Sequence, residues 1–170
     1  MMKVFIGGSR GITRLNPEVR KRLDEIIRKQ LFVLVGDANG ADKAVQGYLH
    51  ERGYDRVEVF CSGGHCRNNL GSWKVTSVPA PPGRRDFGFY EAKDRKMTEE
   101  SSVGLMLWDG KSRGTLSNVQ RLLDLGKKVL IWIAPEKKFK ALTSLNDWHQ
   151  LAAHTGSSKE PSWSQKLVWE

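Results

Sequence analysis

Lys3-Val4-Phe5-Ile6-Gly7-Gly8-Ser9-Arg10-Gly11 and Phe32-Val33-Leu34-Val35-Gly36-Asp37-Ala38-Asn39-Gly40 are built alike: a short apolar run ends in a glycine-rich turn. Runs without polar alternation suit strands covered on both faces, the environment of a parallel sheet. Further runs, β-branched or continuously apolar, stand at residues 57–60, 103–108 and 128–134. The segments between them read as helices. Asn16-Pro17-Glu18 offers a cap, a first-turn proline and an acid, and Leu23, Ile26 and Ile27 follow at helical spacing. A second helix is expected over 41–52, stopping at Gly53, and a charged third over 85–100. A fourth, over 115–125, ends at Gly126 with Leu116, Val119, Leu122 and Leu123 on one face.

Strand and helix in steady alternation predict an α/β fold: a Rossmann-like three-layer sandwich with a mainly parallel sheet of at least five strands. The sequence holds no internal repeat. Residues 62–83, with Trp73, Pro79, Pro81 and Pro82, read as one long irregular loop. After Pro135 an amphipathic helix is expected over 139–153. The tail beyond Thr155 carries Trp163, Leu167, Val168 and Trp169, which suggests docking on the domain or on a partner subunit in a homo-oligomer.

The chain has 170 residues, enough for one domain with its own core. Hydrophobic residues at 39% exceed what a disordered chain carries. No apolar run approaches the roughly 20 residues that cross a bilayer, and the apolar start is too short for a secretory signal, so a cytoplasmic protein without membrane contact is expected. Cys61 and Cys66 are then reduced thiols. With only His65 beside them they make no metal site, and neither metal nor cofactor is expected. The net charge of +9 draws anions of every kind. Because the basic residues are spread along the chain, nucleic acid is a possible partner but not the favoured one.

Ligands of an open parallel sheet bind beyond the carboxyl ends of its strands. Three strand exits suit close backbone approach. Gly7-Gly8-Ser9-Arg10-Gly11 offers main chain, a hydroxyl and a guanidinium. Gly36-Asp37-Ala38-Asn39-Gly40-Ala41-Asp42 precedes a helix. There Asp37 and Asn39 are candidate readers of ribose hydroxyls, and Asp42 is a candidate ligand contact or a simple first-turn acid. Asp109-Gly110-Lys111-Ser112-Arg113-Gly114-Thr115 opens another helix, where free amides and the dipole favour an anion. Lys111, Ser112 and Thr115 add donors. The Walker spacing is missing, which excludes ATP hydrolysis of the P-loop type. At the exit of the third run, Cys61, Cys66 and Arg67-Asn68-Asn69 are candidates for the pocket rim.

These loops, with Asp94-Arg95-Lys96-Met97 and Gly110-x-x-x-Gly114-Thr115, occur in an order that resembles the SLOG superfamily over about residues 3–133. That superfamily includes the Lonely Guy enzymes and the DNA-processing protein A family, and is akin to nucleoside deoxyribosyltransferases. The nearest resemblance is to small bacterial and phage SLOG proteins. It implies a nucleotide-binding domain over 1–135, carrying a C-terminal helix and tail over 136–170. The implied partner is a nucleotide-derived small molecule, and Arg95 joins the candidate contacts.

One departure limits the activity that the resemblance implies. Asn118 stands where Lonely Guy enzymes carry a glutamate, and the loop before it is one residue longer. Cleaving an N-glycosidic bond needs a carboxylate to stabilise a cationic sugar and activate water, and losing one removes about 10²–10⁴-fold of rate. Asn118 can still hydrogen-bond a ligand. Binding of a nucleotide or nucleotide-derived phosphate ligand, as a sensor, sequestering or regulatory module, is therefore the leading expectation. The first alternative is an N-glycosidase of the phosphoribohydrolase or deoxyribosyltransferase type, with Glu91 or Asp37 supplying the carboxylate. The second is handling of single-stranded DNA, with Trp73 and Phe87 as stacking candidates.

Overall fold

The computed structural model describes residues 1–80 and 87–153. Seven strands form one sheet: β1 (Lys3–Gly8), β2 (Phe32–Gly36), β3 (Val57–Ser62), β4 (Lys74–Val78), β5 (Val103–Trp108), β6 (Val129–Ile133) and β7 (Lys138–Leu142). Their spatial order is β4-β3-β2-β1-β5-β6-β7. Every neighbouring pair is parallel except β6–β7, which is antiparallel. The Rossmann-like α/β architecture read from the sequence is the one observed.

Among the described residues five helices accompany the sheet: α1 (Pro17–Arg28), α2 (Ala41–Glu51), α3 (Phe87–Glu100), α4 (Arg113–Asp124) and α5 (Leu145–Ala153). Period-two side-chain alternation divides the core into two halves. Val4 and Ile6 of β1 pack with Val19, Leu23 and Ile26 of α1 and with Val45 and Leu49 of α2. Phe5 points the other way, into a cluster with Met97 of α3, Val119, Leu122 and Leu123 of α4, and Leu151 of α5. The result is three layers.

α1 starts where its sequence signals place it. Asn16 is the N-cap, its side-chain oxygen accepting the Glu18 amide at 2.9 Å, and Pro17 occupies the first turn.

Two expectations need correction. Residues 74–78, expected in the long irregular loop, form the edge strand β4, paired in parallel with β3. This strand is mostly exposed and lacks the apolar run that marked the others. Residues 139–142, expected as the start of a helix, belong to β7. Ala134–Glu136 makes a short 3₁₀ turn and Lys137 adopts a left-handed φ of 51°, which reverses the chain and pairs Phe139 with Trp132 across the ladder. Phe139 and Trp132 then stack edge to face at 4.8 Å. Only residues 145–153 remain helical. Among the described residues, no helix is long and apolar enough to cross a membrane. Trp163, Leu167, Val168 and Trp169, named above for docking, lie outside the described residues.

The chain runs outward from β1 through β2 and β3 to β4, then returns across the sheet to place β5 on the other side of β1. α1 and α2 therefore cover one face, and α3 and α4 the other. Between the ends of β1 and β5 the connections diverge, which opens a crevice there.

Candidate functional site

The loops after β1, β2 and β5 converge on that crevice. Ser9 holds the first to the third: its amide donates to Leu107 O at 2.9 Å, its hydroxyl accepts the Asp109 amide at 3.0 Å, and it lies 3.2 Å from the Thr115 hydroxyl. The Ala41 amide donates to Ser9 O at 3.1 Å and ties in the second loop. Gly40 permits this contact. Its φ of 88° suits glycine, and a Cβ there would sit 2.4 Å from the Arg10 backbone.

The loops enclose a cavity of about 480 Å³, within the range of small-ligand sites. Of the residues singled out from the sequence, Gly7, Gly8, Arg10, Asp42 and Glu91 line it, together with Asp109, Ser112, Gly114, Thr115 and Asn118. Ser9, Gly36, Asp37, Asn39 and Gly40 support it from behind or beside, and Arg95, Gly110 and Lys111 lie off it. Of the rim candidates only Arg67 borders the cavity. Cys61 is buried, and Cys66 donates its thiol to Asn68 O at 3.3 Å. Burial pushes the Cys66 thiol up to about 11, so it is no nucleophile near neutral pH.

Several side chains do something other than their sequence reading suggests. Asp37 does not face the ligand space; it accepts Arg67 Nε at 3.1 Å, Nη2 at 2.8 Å and the Arg67 amide at 2.9 Å. Burial opposes its charge, but these bonds outweigh it and hold its carboxyl below the usual range. Asn39 is exposed and accepts the Asn68 side chain at 3.0 Å. Arg95 makes an exposed ion pair with Glu91 at 3.2 Å, one turn away on the same helix. Asp109 turns its own loop: Oδ1 accepts the Lys111 and Ser112 amides at 2.8 Å each. Burial opposes that charge as well, and the two amides outweigh it, keeping the Asp109 carboxyl low. Those amides are therefore taken, and Ser112 Oγ caps Thr115 N at 3.4 Å. Among the described residues, the amides that border the cavity without an internal acceptor include those of Arg10, Gly11 and Gly114.

The cavity floor holds a charge cluster that the sequence did not announce. Lys93 is buried, with Nζ 3.0 Å from Asp94 Oδ1, 3.8 Å from Asp42 Oδ2 and 4.0 Å from Asp37 Oδ1. Asp94 Oδ2 accepts the Asn118 amide at 3.3 Å, and Asn118 Oδ1 accepts Arg121 at 2.7 Å. Arg121 also meets Glu91. Three carboxylates thus face two cations, Lys93 and Arg67. Among the described residues no group of three or more His, Cys, Asp or Glu is placed to hold a metal ion; an ammonium occupies the centre instead. At the mouth, the guanidiniums of Arg67 and Arg10 lie over the Tyr90 ring at 4.2 and 5.5 Å. Lys93 and Tyr90 sit on a helix whose charged pattern reads as a solvated face, so no sequence signal separated them from their neighbours; Asp94 opens the Asp94-Arg95-Lys96-Met97 motif, from which only Arg95 was taken as a contact.

Burial raises the Asp42 pKa from 3.8 to about 6 against the pull of Lys93. Ionised Asp42 therefore opposes folding, and its protonation adds stability as pH falls from about 6 towards 4, by up to roughly 3 kcal/mol. Asp42→Asn is expected to abolish that rise. Urea unfolding of both proteins at pH 4.5 and 7.5 checks it; parallel pH dependences would contradict the assignment.

Trp73 is not beside the crevice. It precedes β4 at the opposite end of the sheet, where Nε1 donates to Tyr54 O at 2.9 Å. The side chain of Phe87 lies outside the described residues.

An open α/β sheet with a ligand-sized crevice at its topological switch point defines a Rossmann-like class of protein. Two solved structures share it: DNA processing protein A from Helicobacter pylori, described for its unique single-stranded DNA binding mode, and DNA processing protein A (DprA) from Streptococcus pneumoniae. The first superposes with a TM-score of 0.60 at 17% identity, over 98% of this chain and 78% of that one. The second gives 0.58 at 17% identity, over 99% of this chain and 61% of that one. The likeness is one of fold, the SLOG-like fold of these proteins. No family model matches the chain, and no curated protein sequence does.

Proposed function

We propose that the crevice between β1 and β5 binds a nucleotide. The phosphate sits on the amides of Arg10 and Gly11 and on the first turn of α4 at Gly114, and the base lies towards Arg10, Tyr90 and Arg67. The observation that carries this reading is the convergence of these amides, free of internal acceptors, with two guanidiniums on one cavity of about 480 Å³. Unpaired N–H groups at a helix start are worth most to an anion, and a guanidinium adds a charge-assisted bond.

The glycosidase alternative has less support. Asp37 is locked to Arg67, and Glu91 lies between Arg95 and Arg121, so neither offers an uncommitted base.

Calorimetry against nucleoside 5′-monophosphates tests the proposal. One saturable site is expected, with Arg10→Ala weakening it about 10-fold or more, the effect of one charge-assisted hydrogen bond. Absence of binding up to millimolar concentration would defeat it.

Single-stranded DNA is the second reading. It is favoured by the DNA-binding description of the Helicobacter pylori fold neighbour and by the net charge of +9. It predicts that an oligothymidylate binds more tightly than any mononucleotide and that this affinity falls steeply with salt.

A further inference from the structure

Among the described residues four carboxylates border the cavity, and their surroundings differ. Glu91 Oε1 is held by Arg95 and Arg121. Asp109 Oδ1 accepts two amides of its own loop. Asp42 is buried beneath the floor and accepts the Ala38 amide at 3.1 Å. Asp94 is held at each oxygen, by a side chain of α3 on one and of α4 on the other. Its side chain keeps 23% of its surface exposed, and each oxygen receives a single bond, from Lys93 at 3.0 Å and from Asn118 at 3.3 Å. A carboxylate has about four acceptor positions, so Asp94 retains capacity on its open side. Its orientation is fixed as well. Lys93 is anchored by Asp42 and Asp37, and Asn118 by Arg121.

A rigid acceptor-only group repels phosphate and welcomes a hydroxyl. Its distance from the phosphate site decides which part of a nucleotide it meets. Asn118 stands four residues after Gly114 on α4, about 6 Å along the axis, and Asp94 is bonded to Asn118. A group so close to the phosphate site meets the sugar before it meets the base. We infer that Asp94 reads the sugar hydroxyls of the bound nucleotide and makes the site selective for ribose over 2′-deoxyribose. This rests on the nucleotide reading above and sharpens it. Lys93 and Asn118 act as positioning residues, holding the carboxylate towards the sugar.

Calorimetry with AMP, CMP, GMP and UMP and their 2′-deoxy counterparts tests the inference. Each ribonucleotide is expected to bind about 10- to 100-fold more tightly than its deoxy form, the range for a hydrogen bond to a charged acceptor. Asp94→Ala should bring the two series together, mainly by weakening the ribonucleotides. Asp94→Asn, which keeps the shape, provides the same comparison if the alanine variant fails to fold. Equal affinity of the two series for the unaltered protein overturns the inference and leaves nucleotide binding standing. So does a preference that survives both substitutions, or one that follows the amino group of the base. Failure of every mononucleotide to bind overturns both.

Discussion

Lys93→Met is expected to destabilise the protein by about 3–5 kcal/mol at neutral pH, the effect of removing one partner from a buried ionic cluster. A domain has roughly 5–15 kcal/mol in total, so the variant stands near the limit of folding. Burial disfavours the Lys93 ammonium, but Asp94, Asp42 and Asp37 outweigh it and push its pKa above the ordinary lysine value. The contribution is therefore fully present at pH 7 and disappears only as pH rises through that raised value. Methionine fills similar space and leaves three carboxylates facing Arg67 alone. These carboxylates then bind protons more readily when folded, so the deficit should narrow as the solution is acidified. Urea unfolding of both proteins at pH 7.5 and 5 measures this. A loss below about 1 kcal/mol at pH 7.5 would show that the cluster does not stabilise the fold, and a deficit unchanged at pH 5 would exclude the electrostatic cause.

Gly40→Ala is the second substitution with a large expected effect. At φ 88° and ψ −129° the backbone is open to glycine almost alone. The added Cβ would meet Arg10 Cα and O at 2.4 Å, backbone atoms that cannot swing aside. Strain of about 1–3 kcal/mol joins overpacking of about 1–3 kcal/mol. Relief requires the first two loops to separate, which breaks the bond from the Ala41 amide to Ser9 O and moves the Arg10 amide from the proposed phosphate position. Loss of both stability and nucleotide affinity is expected. Gly126→Ala supplies the comparison: its φ is 71°, yet a Cβ there has nothing within 4 Å. That variant should lose only about 1–2 kcal/mol and bind normally. Thermal melting and calorimetry of the pair decide; equal effects would mean that the contact between the two loops is unimportant.

The parallel core of the sheet was legible because β1, β2, β5 and β6 are buried on both faces and read as apolar runs, and β3 reads as one broken only by Glu58. β4 and β7 were missed for the opposite reason. β4 is an edge with mainly exposed side chains, and Lys138–Leu142 alternates polar and apolar residues only briefly before a true helix. Phe139 pairs with Trp132 across the ladder, a long-range partner that helical spacing from 139 onward obscured. The loops behaved in the same mixed way. Glycine spacing marked which turns meet at the crevice. It gave no sign that Asp109 takes up the amides of its own loop, or that Asp37 turns to Arg67.

By itself, then, the sequence determined the layered α/β fold and the end of the sheet where a ligand would enter, since both follow from local periodicity and from glycine at strand exits. Only the tertiary structure decided which charges share the cavity. Lys93, Asp94, Asn118 and Arg121 come from two helices that pack against each other, and whether a charge is solvated or buried depends on what the other helix brings to it. Pairing across such a distance leaves no periodic trace in either segment.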